Sequence, residues 1–314
     1  MDGAVVVGVD AAQPPLPAVD WAAAQAVRRG ADLVLVAAVQ PVGSAEALTG
    51  YYVQQMTREL QEQAVAAIDD VTRRVQAEHP RLRLVPRVVE DHPRRALVQA
   101  VTEGRAQLLV TGARRHNPHR RGLFGGLLLG STSLFAVAHA PCPVAVVRGP
   151  EPPSGGVVVG HDGSPAAGAA LGFAVTEALA RSAPLRILRV LEPLQRLAID
   201  DDEDNRARAG ALRVQREALG RLCAELRAAH PDLRLDCEVL EEAYPADALL
   251  RAGEEAELLV VGGRGHGAFY TALLGSVSHD VLHRAEHPVV VVGDPGRRRA
   301  RPDGVQSEAP PQMT

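Results

Sequence analysis

The sequence predicts an α/β fold built from two tandem Rossmann-like domains, each a parallel sheet with helices on both faces. Three observations support this prediction. Several short segments occur twice in the same order. Short apolar runs rich in valine and leucine alternate with longer amphipathic stretches, as buried strands alternate with helices. Strands separated by helices pair in parallel, which places helices on both faces of the sheet.

The repeat extends from the first predicted strand of each half to the last. Each N-terminal segment is followed here by its C-terminal counterpart: Val5–Asp10 and Val157–Asp162, Leu33–Ala37 and Leu185–Val190, His79–Leu84 and His230–Leu235, Ala106–Gly112 and Ala256–Gly262, Leu129–Ser133 and Leu274–Ser278, Pro143–Val147 and Pro288–Val292. Trp21 and Phe173 take matching places in the helical stretch after the first strand. The sequence is therefore expected to contain two tandem copies of one domain.

Each half contains five predicted strands and four predicted helices, and a strand order of 3-2-1-4-5 is expected. We place the first domain at residues 1–150 and the second at 154–293, because the connector Gly149–Gly156 is rich in proline and glycine. Residues 294–314 lack periodicity and are expected to be disordered. The last strand of each half is an apolar edge candidate, and exposed edges need a partner. We therefore expect the halves to pair within the chain about a pseudo-twofold axis, and dimerisation of the whole chain stays open.

Composition narrows the class of protein. A net charge of −4 and a hydrophobic fraction of 46% are typical of a globular protein. The sequence contains no lysine, which excludes a Gly-Lys-Ser/Thr phosphate loop and a lysine Schiff base. Cys142, Cys223 and Cys237 form no CxxC motif, and we expect buried thiols in a reducing compartment. Met1 leads directly into the strand Ala4–Gly8, and no apolar run reaches membrane-spanning length. These features predict a cytoplasmic protein with no membrane partner.

A glycine-rich loop follows the fourth predicted strand of the second half. Gly262, Gly263, Gly265 and Gly267 leave the backbone open to a ligand, because glycine has no Cβ. Gly275–Ser278 then begins an amphipathic helix, whose first N–H groups carry partial positive charge. A glycine loop that faces a serine-bearing helix start suits a phosphate-sized anion. The alternative is a turn that uses glycine only to reach the helix.

The spacing of this loop resembles the ATP-binding motif of the universal stress protein family. Two residues separate Gly262 from Gly265, nine more precede Gly275 and Ser276, and Asp162 follows an earlier strand. The resemblance covers about residues 1–293. It implies a Rossmann-like fold of the adenine nucleotide hydrolase type that binds ATP, with or without Mg²⁺.

The resemblance and the motif together predict the nucleotide-binding residues of the second half. The ribose or adenine is expected at Asp162, an apolar adenine contact at Val190, and the phosphates on the loop and helix start. The full predicted set is Gly160, His161, Asp162, Val190, Val261, Gly262, Arg264, Gly265, Gly275, Ser276, Val277 and Ser278. Three alternatives stay open: Asp162 as a helix N-cap, Val190 as plain core, and Arg264 as a solvated loop arginine.

The first half keeps only part of the motif. A weaker site is predicted from the residues it retains, which are Asp10, Gly112, Gly130, Ser131 and Ser133. Alanines and glutamine at 11–13 replace Gly-Ser, and arginine 115 stands where the second motif glycine is expected. Five extra residues separate the two outer glycines, and a longer loop without glycine cannot repeat the same backbone cradle.

Three further clusters have an ordinary interpretation that we favour. His279, His283 and His287 are spaced by four residues, so a metal site competes with a polar helix surface. The acidic run Asp200–Asp204 is either a magnesium site or a solvated loop or lid. The basic run Arg297–Arg301 lacks an aromatic platform, which argues against nucleic acid as a partner.

The sequence supports three hypotheses about the function of this protein. The favoured one is a regulatory, non-enzymatic ATP-binding protein that acts in a stress response through a partner that the sequence does not identify. The second is an ATP hydrolase or ATP-pyrophosphatase-like enzyme on the same sheet, for which the motif supplies no general base or paired carboxylates. The third is an interaction module with vestigial sites, which the degraded first motif favours and the intact second motif opposes.

Overall fold

The computed structural model describes residues 3–40, 50–112, 129–149, 155–193, 202–264 and 274–294. The described part of the first half forms β1 (Val5–Gly8), α1 (Leu16–Arg29), β2 (Leu33–Val39), α2 (Gly50–Glu78), β3 (Leu84–Glu90), α3 (Pro93–Glu103), β4 (Leu108–Gly112), α4 (Ser131–His139) and β5 (Val144–Val147). The described part of the second half forms β6 (Val157–Gly160), α5 (Pro165–Arg181), β7 (Leu185–Leu191), α6 (Asp202–Ala229), β8 (Leu235–Glu241), α7 (Pro245–Gly253), β9 (Leu258–Gly262), α8 (Ser276–Arg284) and β10 (Val289–Val292).

The strands form one sheet in the order β3-β2-β1-β4-β5-β10-β9-β6-β7-β8. Within each half the order is therefore 3-2-1-4-5, and neighbouring strands run parallel. The predicted fold class and strand order are confirmed. Residues 295–314, which hold nearly all of the predicted tail and the basic run, lie outside the described residues.

The two halves join at β5 and β10, which pair antiparallel. Ala145 lies opposite Val290, and these residues are also equivalents in the repeat, so the pseudo-twofold axis passes between them. Arg148, just beyond β5, is buried and donates hydrogen bonds to the Leu282 and Ala285 carbonyls at the end of α8. Pairing the apolar edges satisfies backbone groups that would otherwise be exposed. The predicted intrachain pairing of the halves is confirmed.

Aliphatic side chains fill the core, as expected for a chain with 3% aromatic residues. The largest buried cluster lies between the sheet and the layer of α1, α2, α5 and α6, and it includes side chains of both halves, among them Trp21, Leu35 and Ile187. The opposite face carries two clusters. One contains only first-half side chains, and the other consists of second-half side chains together with Leu129 and Val146 of the first half. None of the helices in the described part of the chain is both long and apolar enough to cross a membrane.

The cysteines differ from the expectation. Cys223 on α6 and Cys237 on β8 form a disulfide, so the prediction that every cysteine is a buried thiol is wrong for this pair. Packing of α6 on β8 brings the two residues together, and a separation of 14 residues matches no recognisable cysteine motif. Cys142 lies outside the disulfide and is buried, as predicted.

Candidate functional site

The carboxyl edge of the second-half sheet brings together segments that are distant in sequence. Val159 of β6 lies beside Val260 of β9, so the chain leaving β6 runs next to the start of the glycine loop. On the other side, the His161 N–H donates to the Leu188 carbonyl of β7 at 2.8 Å. Strand order reverses between β6 and β9, and a parallel sheet binds ligands at such a point. The topology thus places Asp162 and Gly262 at one crevice.

Asp162 makes a turn before α5. Its Oδ1 accepts a hydrogen bond from the Ser164 N–H at 2.9 Å, and Gly163 between them has a φ of +88°, which glycine adopts without strain. The N-cap of α5 is Ser164, so the alternative that Asp162 caps this helix is wrong. The Asp162 side chain is exposed at the crevice, where a ligand hydroxyl or amino group can reach it.

Ser164 connects α5 to the glycine loop. Its hydroxyl oxygen accepts from the Ala167 N–H at 3.1 Å, which caps the helix, and the same hydroxyl donates to the Arg264 carbonyl at 3.2 Å. The sequence analysis missed this residue. Serine followed by proline at a helix start is the signal that identifies such a cap.

The two ends of the glycine loop are tied at Gly263. Its carbonyl accepts from the Gly275 N–H at 2.9 Å and lies 3.3 Å from the Ser278 hydroxyl. Ser278 is buried, and its hydroxyl also lies 3.2 Å from the Gly275 carbonyl. The hydroxyl of Ser278 therefore closes the loop, whereas Ser276 at the start of α8 is exposed.

The start of α8 offers hydrogen-bond donors to an anion. Gly275 is the N-cap and has no side chain to cap the helix, and the first turn carries no acidic residue. The N–H groups of Ser276, Val277 and Ser278 begin the helix without a partner inside it. Their partial positive charge favours an anion at this point.

Close packing requires glycine at the end of β9. A Cβ on Gly262 would lie 2.9 Å from the carbonyl carbon of Ala166 and from the nitrogen of Ala167. Those atoms belong to the first turn of α5 and cannot move without breaking its cap. Gly262 therefore lets the start of α5 and the glycine loop approach each other.

His161 contacts a buried arginine on β7. Arg189 donates to the His161 carbonyl at 3.2 Å and to Gln215 on α6 at 2.7 Å, and its Nη2 lies 3.3 Å from His161 Nδ1. Burial, and then the Arg189 charge, lower the pKa of His161, while Asp162 opposes the shift. A neutral imidazole that accepts at Nδ1 carries its proton on Nε2, which makes it a donor. The sequence analysis missed Arg189, although an arginine inside an apolar strand is a visible signal.

The other predicted residues divide into three groups. Val261 is buried, Val190 and Arg264 are half-buried, and Val190 is the penultimate residue of β7. A Cβ on Gly160 would lie 3.0 Å from Leu249, so this glycine accommodates α7. Gly265 and His266 lie outside the described residues, and so do Asp200 and Asp201 of the acidic run. The rest of that run forms the start of α6, so the expectation of a loop or lid is wrong for residues 202–204.

The first half has a turn equivalent to that of Asp162, but it has no side chain equivalent to the Ser164 cap. Asp10 accepts from the Ala12 N–H at 3.0 Å, as Asp162 does from Ser164. Alanine at 12 has no hydroxyl for the loop, and α1 begins at the N-cap Pro15 without a side-chain cap. Ser133 lies 3.4 Å from the Gly112 carbonyl. Gly130 is the N-cap of α4, and Ser131 begins that helix.

The three histidines near α8 do not share one helix. The rings of His279 and His283 lie 4.3 Å apart, but α8 ends at Arg284 and His287 lies beyond it. Burial, and then the charge of Arg148, lower the pKa of His287 to about 4. Within the described ranges no three histidine, cysteine or acidic side chains are grouped as metal ligands would be.

Comparisons with known proteins agree with this architecture. The universal stress protein family model matches residues 2–148 and again 155–293. A universal stress protein of Mycolicibacterium smegmatis (strain ATCC 700084 / mc(2)155) is 32% identical over 304 residues, which cover 92% of this chain and 96% of that protein. One of Mycobacterium tuberculosis (strain ATCC 25618 / H37Rv) is 30% identical over 327 residues, with coverage of 93% and 95%.

A solved structure shows the same fold. The crystal structure of a universal stress protein from Archaeoglobus fulgidus DSM 4304 superposes with a TM-score of 0.63 at 19% identity, covering 92% of this chain and 96% of that chain. The family model, the relatives and the two-fold occurrence of the domain lead to one conclusion. The chain belongs to the universal stress protein family and contains the family's domain twice.

Proposed function

We propose that the second half binds ATP at the crevice between β6 and β9, and that the protein acts as a nucleotide-dependent regulator in the cytoplasm. The observation that carries the proposal is the closure of the glycine loop at Gly263, whose carbonyl accepts from the Gly275 N–H at 2.9 Å. This hydrogen bond holds Gly263, just after β9, against the start of α8, where N–H groups and Ser276 are available to phosphates. The proposed domains span residues 1–150 and 154–293, followed by the tail.

Each predicted contact has a distinct role in this proposal. The phosphates lie on the loop glycines and the start of α8, with Ser276 as an additional donor. The exposed Asp162 carboxylate accepts from the ribose or adenine, and Val190 contacts the base. Arg264 adds a charge-assisted contact to phosphate, and Mg²⁺ accompanies the nucleotide if the phosphates recruit it.

The proposed role is to hold ATP rather than to consume it. Hydrolysis needs a group that positions the attacking water as well as charge stabilisation of the transferring phosphoryl group. The motif of glycines and serines supplies the second requirement and not the first. Bound nucleotide would then stabilise the protein by mass action and change the surface that partners meet.

Three measurements test the proposal. Denaturing the purified protein and separating the extract should release an adenine nucleotide, and ATP should raise the melting temperature. Phosphate release with ATP and Mg²⁺ should be negligible. Turnover near one per second that is lost in Ser276→Ala would indicate an enzyme, and no melting shift with any adenine nucleotide would indicate a vestigial site.

A further inference from the structure

Six side chains meet at the junction of the two halves, near the ends of α1 and α5. They come in three pairs that are equivalent in the repeat: Gln25 and Glu177, Arg29 and Arg181, Gln107 and Glu257. We call these six residues the junction cluster. The arginine is the same in both halves, but the first half supplies two neutral amides where the second half supplies two carboxylates.

Glu177 connects the halves directly. One of its carboxylate oxygens accepts from Arg29 of the first half, and the other accepts from Arg181 of its own helix at 3.2 Å. Arg29 also lies over the ring of Phe173, with its guanidinium carbon 5.2 Å from the ring centre. The α1–α5 contact between the halves is therefore built around one shared carboxylate.

The remaining members complete the network within each half. Arg29 donates to the amide oxygen of Gln107 at 3.1 Å and lies 3.4 Å from that of Gln25. In the second half Arg181 donates to Glu257 at 3.1 Å. Within its own half, the arginine therefore meets neutral acceptors on one side of the axis and charged acceptors on the other.

These charges are removed from water. The side chains of Glu177 and Arg181 are each 2% exposed, that of Arg29 is 11% exposed, and that of Glu257 is 18% exposed. An ionised group at such a site is tolerated only when an opposite charge compensates it. The net charge of the junction cluster therefore affects which halves can pair.

We infer that the junction cluster makes the two halves recognise each other and reject copies of themselves. The observed pair places two arginines with two glutamates, so its charges balance. Two copies of the first half would bury two arginines with no carboxylate. Two copies of the second half would bury four carboxylates with two arginines. The interface between the halves is accordingly specific for the pairing of a first half with a second half.

Variants of the full chain can reproduce the charges that two copies of the first half, or two copies of the second half, would bring together. Gln25→Glu with Gln107→Glu gives the first half the acidic set of the second, and Glu177→Gln with Glu257→Gln does the reverse. The four changes together exchange the two sets and restore the balance of charge. We expect each double variant to melt about 5–10 °C below the wild type, and the quadruple variant to recover at least half of that loss.

The quadruple variant decides the question, because loss of side-chain packing cannot be restored by adding mutations. Recovery supports charge recognition, and so does folding of the quadruple variant when a double variant fails to fold. A quadruple variant whose melting temperature falls by the sum of the two double variants, or that does not fold, overturns the inference. Double variants as stable as the wild type overturn it as well.

Discussion

Ser164 and Arg264 lie 100 residues apart, and the Ser164 hydroxyl donates a hydrogen bond of 3.2 Å to the Arg264 carbonyl. The same oxygen caps α5 by accepting from the Ala167 N–H. One side chain therefore determines both the start of a helix and the position of the glycine loop, and a change there should affect stability and binding together.

Ser164→Ala should lower the free energy of unfolding by about 1–2 kcal/mol, through loss of the cap and of the loop contact. We expect ATP affinity to fall as well, because the loop loses its tie to α5. Titration calorimetry and urea unfolding measure the two effects. His92→Ala is the matched control, since His92 accepts from the Arg94 N–H at the start of α3; it should cost stability without changing affinity. Equal affinity of Ser164→Ala and wild type would contradict the assigned role.

Gly262→Ala should abolish tight ATP binding, because the added Cβ would displace the first turn of α5 or the loop. The clash distance is 2.9 Å to backbone atoms of Ala166 and Ala167. Gly168→Ala is the control, since no atom lies within 4 Å of a Cβ at that helical position. It should raise stability by about 0.5–1 kcal/mol and leave the affinity unchanged. Normal ATP binding by Gly262→Ala would place the phosphates elsewhere.

One ATP should bind tightly per chain. The first half has alanine at position 12 in place of the capping serine, and prolines 14 and 15 have no N–H to donate at the start of α1. Titration calorimetry should give a stoichiometry near one, which Asp162→Ala removes and Asp10→Ala does not. Two sites of equal affinity would show that the first half is also functional.

Stability should fall as the pH drops from about 6.5 towards 4. Burial lowers the pKa of His287 to about 4, whereas an unfolded chain has a histidine pKa of about 6.5. Between pH 6.5 and pH 4, His287 is protonated in the unfolded state but stays neutral in the native state. This difference lowers the free energy of unfolding by up to about 3 kcal/mol. His287→Leu should flatten the dependence. An unchanged pH slope in His287→Leu would contradict the assignment.

Reduction should destabilise the second half. The disulfide of Cys223 and Cys237 closes a loop of 14 residues between α6 and β8, for which loop entropy predicts about 3 kcal/mol. A reductant should therefore lower the melting temperature of the wild type. It should have no effect on Cys223→Ser/Cys237→Ser, and Cys142→Ser should respond as the wild type does. Free thiols at both positions in the purified, unreduced protein would contradict the bridge.

The domain repeat, the fold class and the strand ends that border the crevice are all predictable from the amino-acid sequence. Buried parallel strands are continuous apolar runs, so Val157–Gly160 and Leu258–Gly262 are recognisable without neighbours. Glycine and helix-start signals are equally local, and Gly275 indeed begins α8 as its N-cap. The expected strand order of 3-2-1-4-5, which places the ends of the first and fourth strands of a half side by side, is the order found in each half.

In contrast, whether a side chain faces the crevice or packs in the interior depends on contacts between distant elements. Ser276 and Ser278 look alike in sequence, yet Ser278 is buried and closes the loop while Ser276 is exposed. The Cys223–Cys237 disulfide, the Arg189–His161 contact and the shared Glu177 also depend on residues far apart in the chain. Periodicity reports which face of a single element is apolar, but it carries no information about the side chain that a neighbouring element places opposite. These pairings arise only when the helices pack on the sheet and the two halves meet.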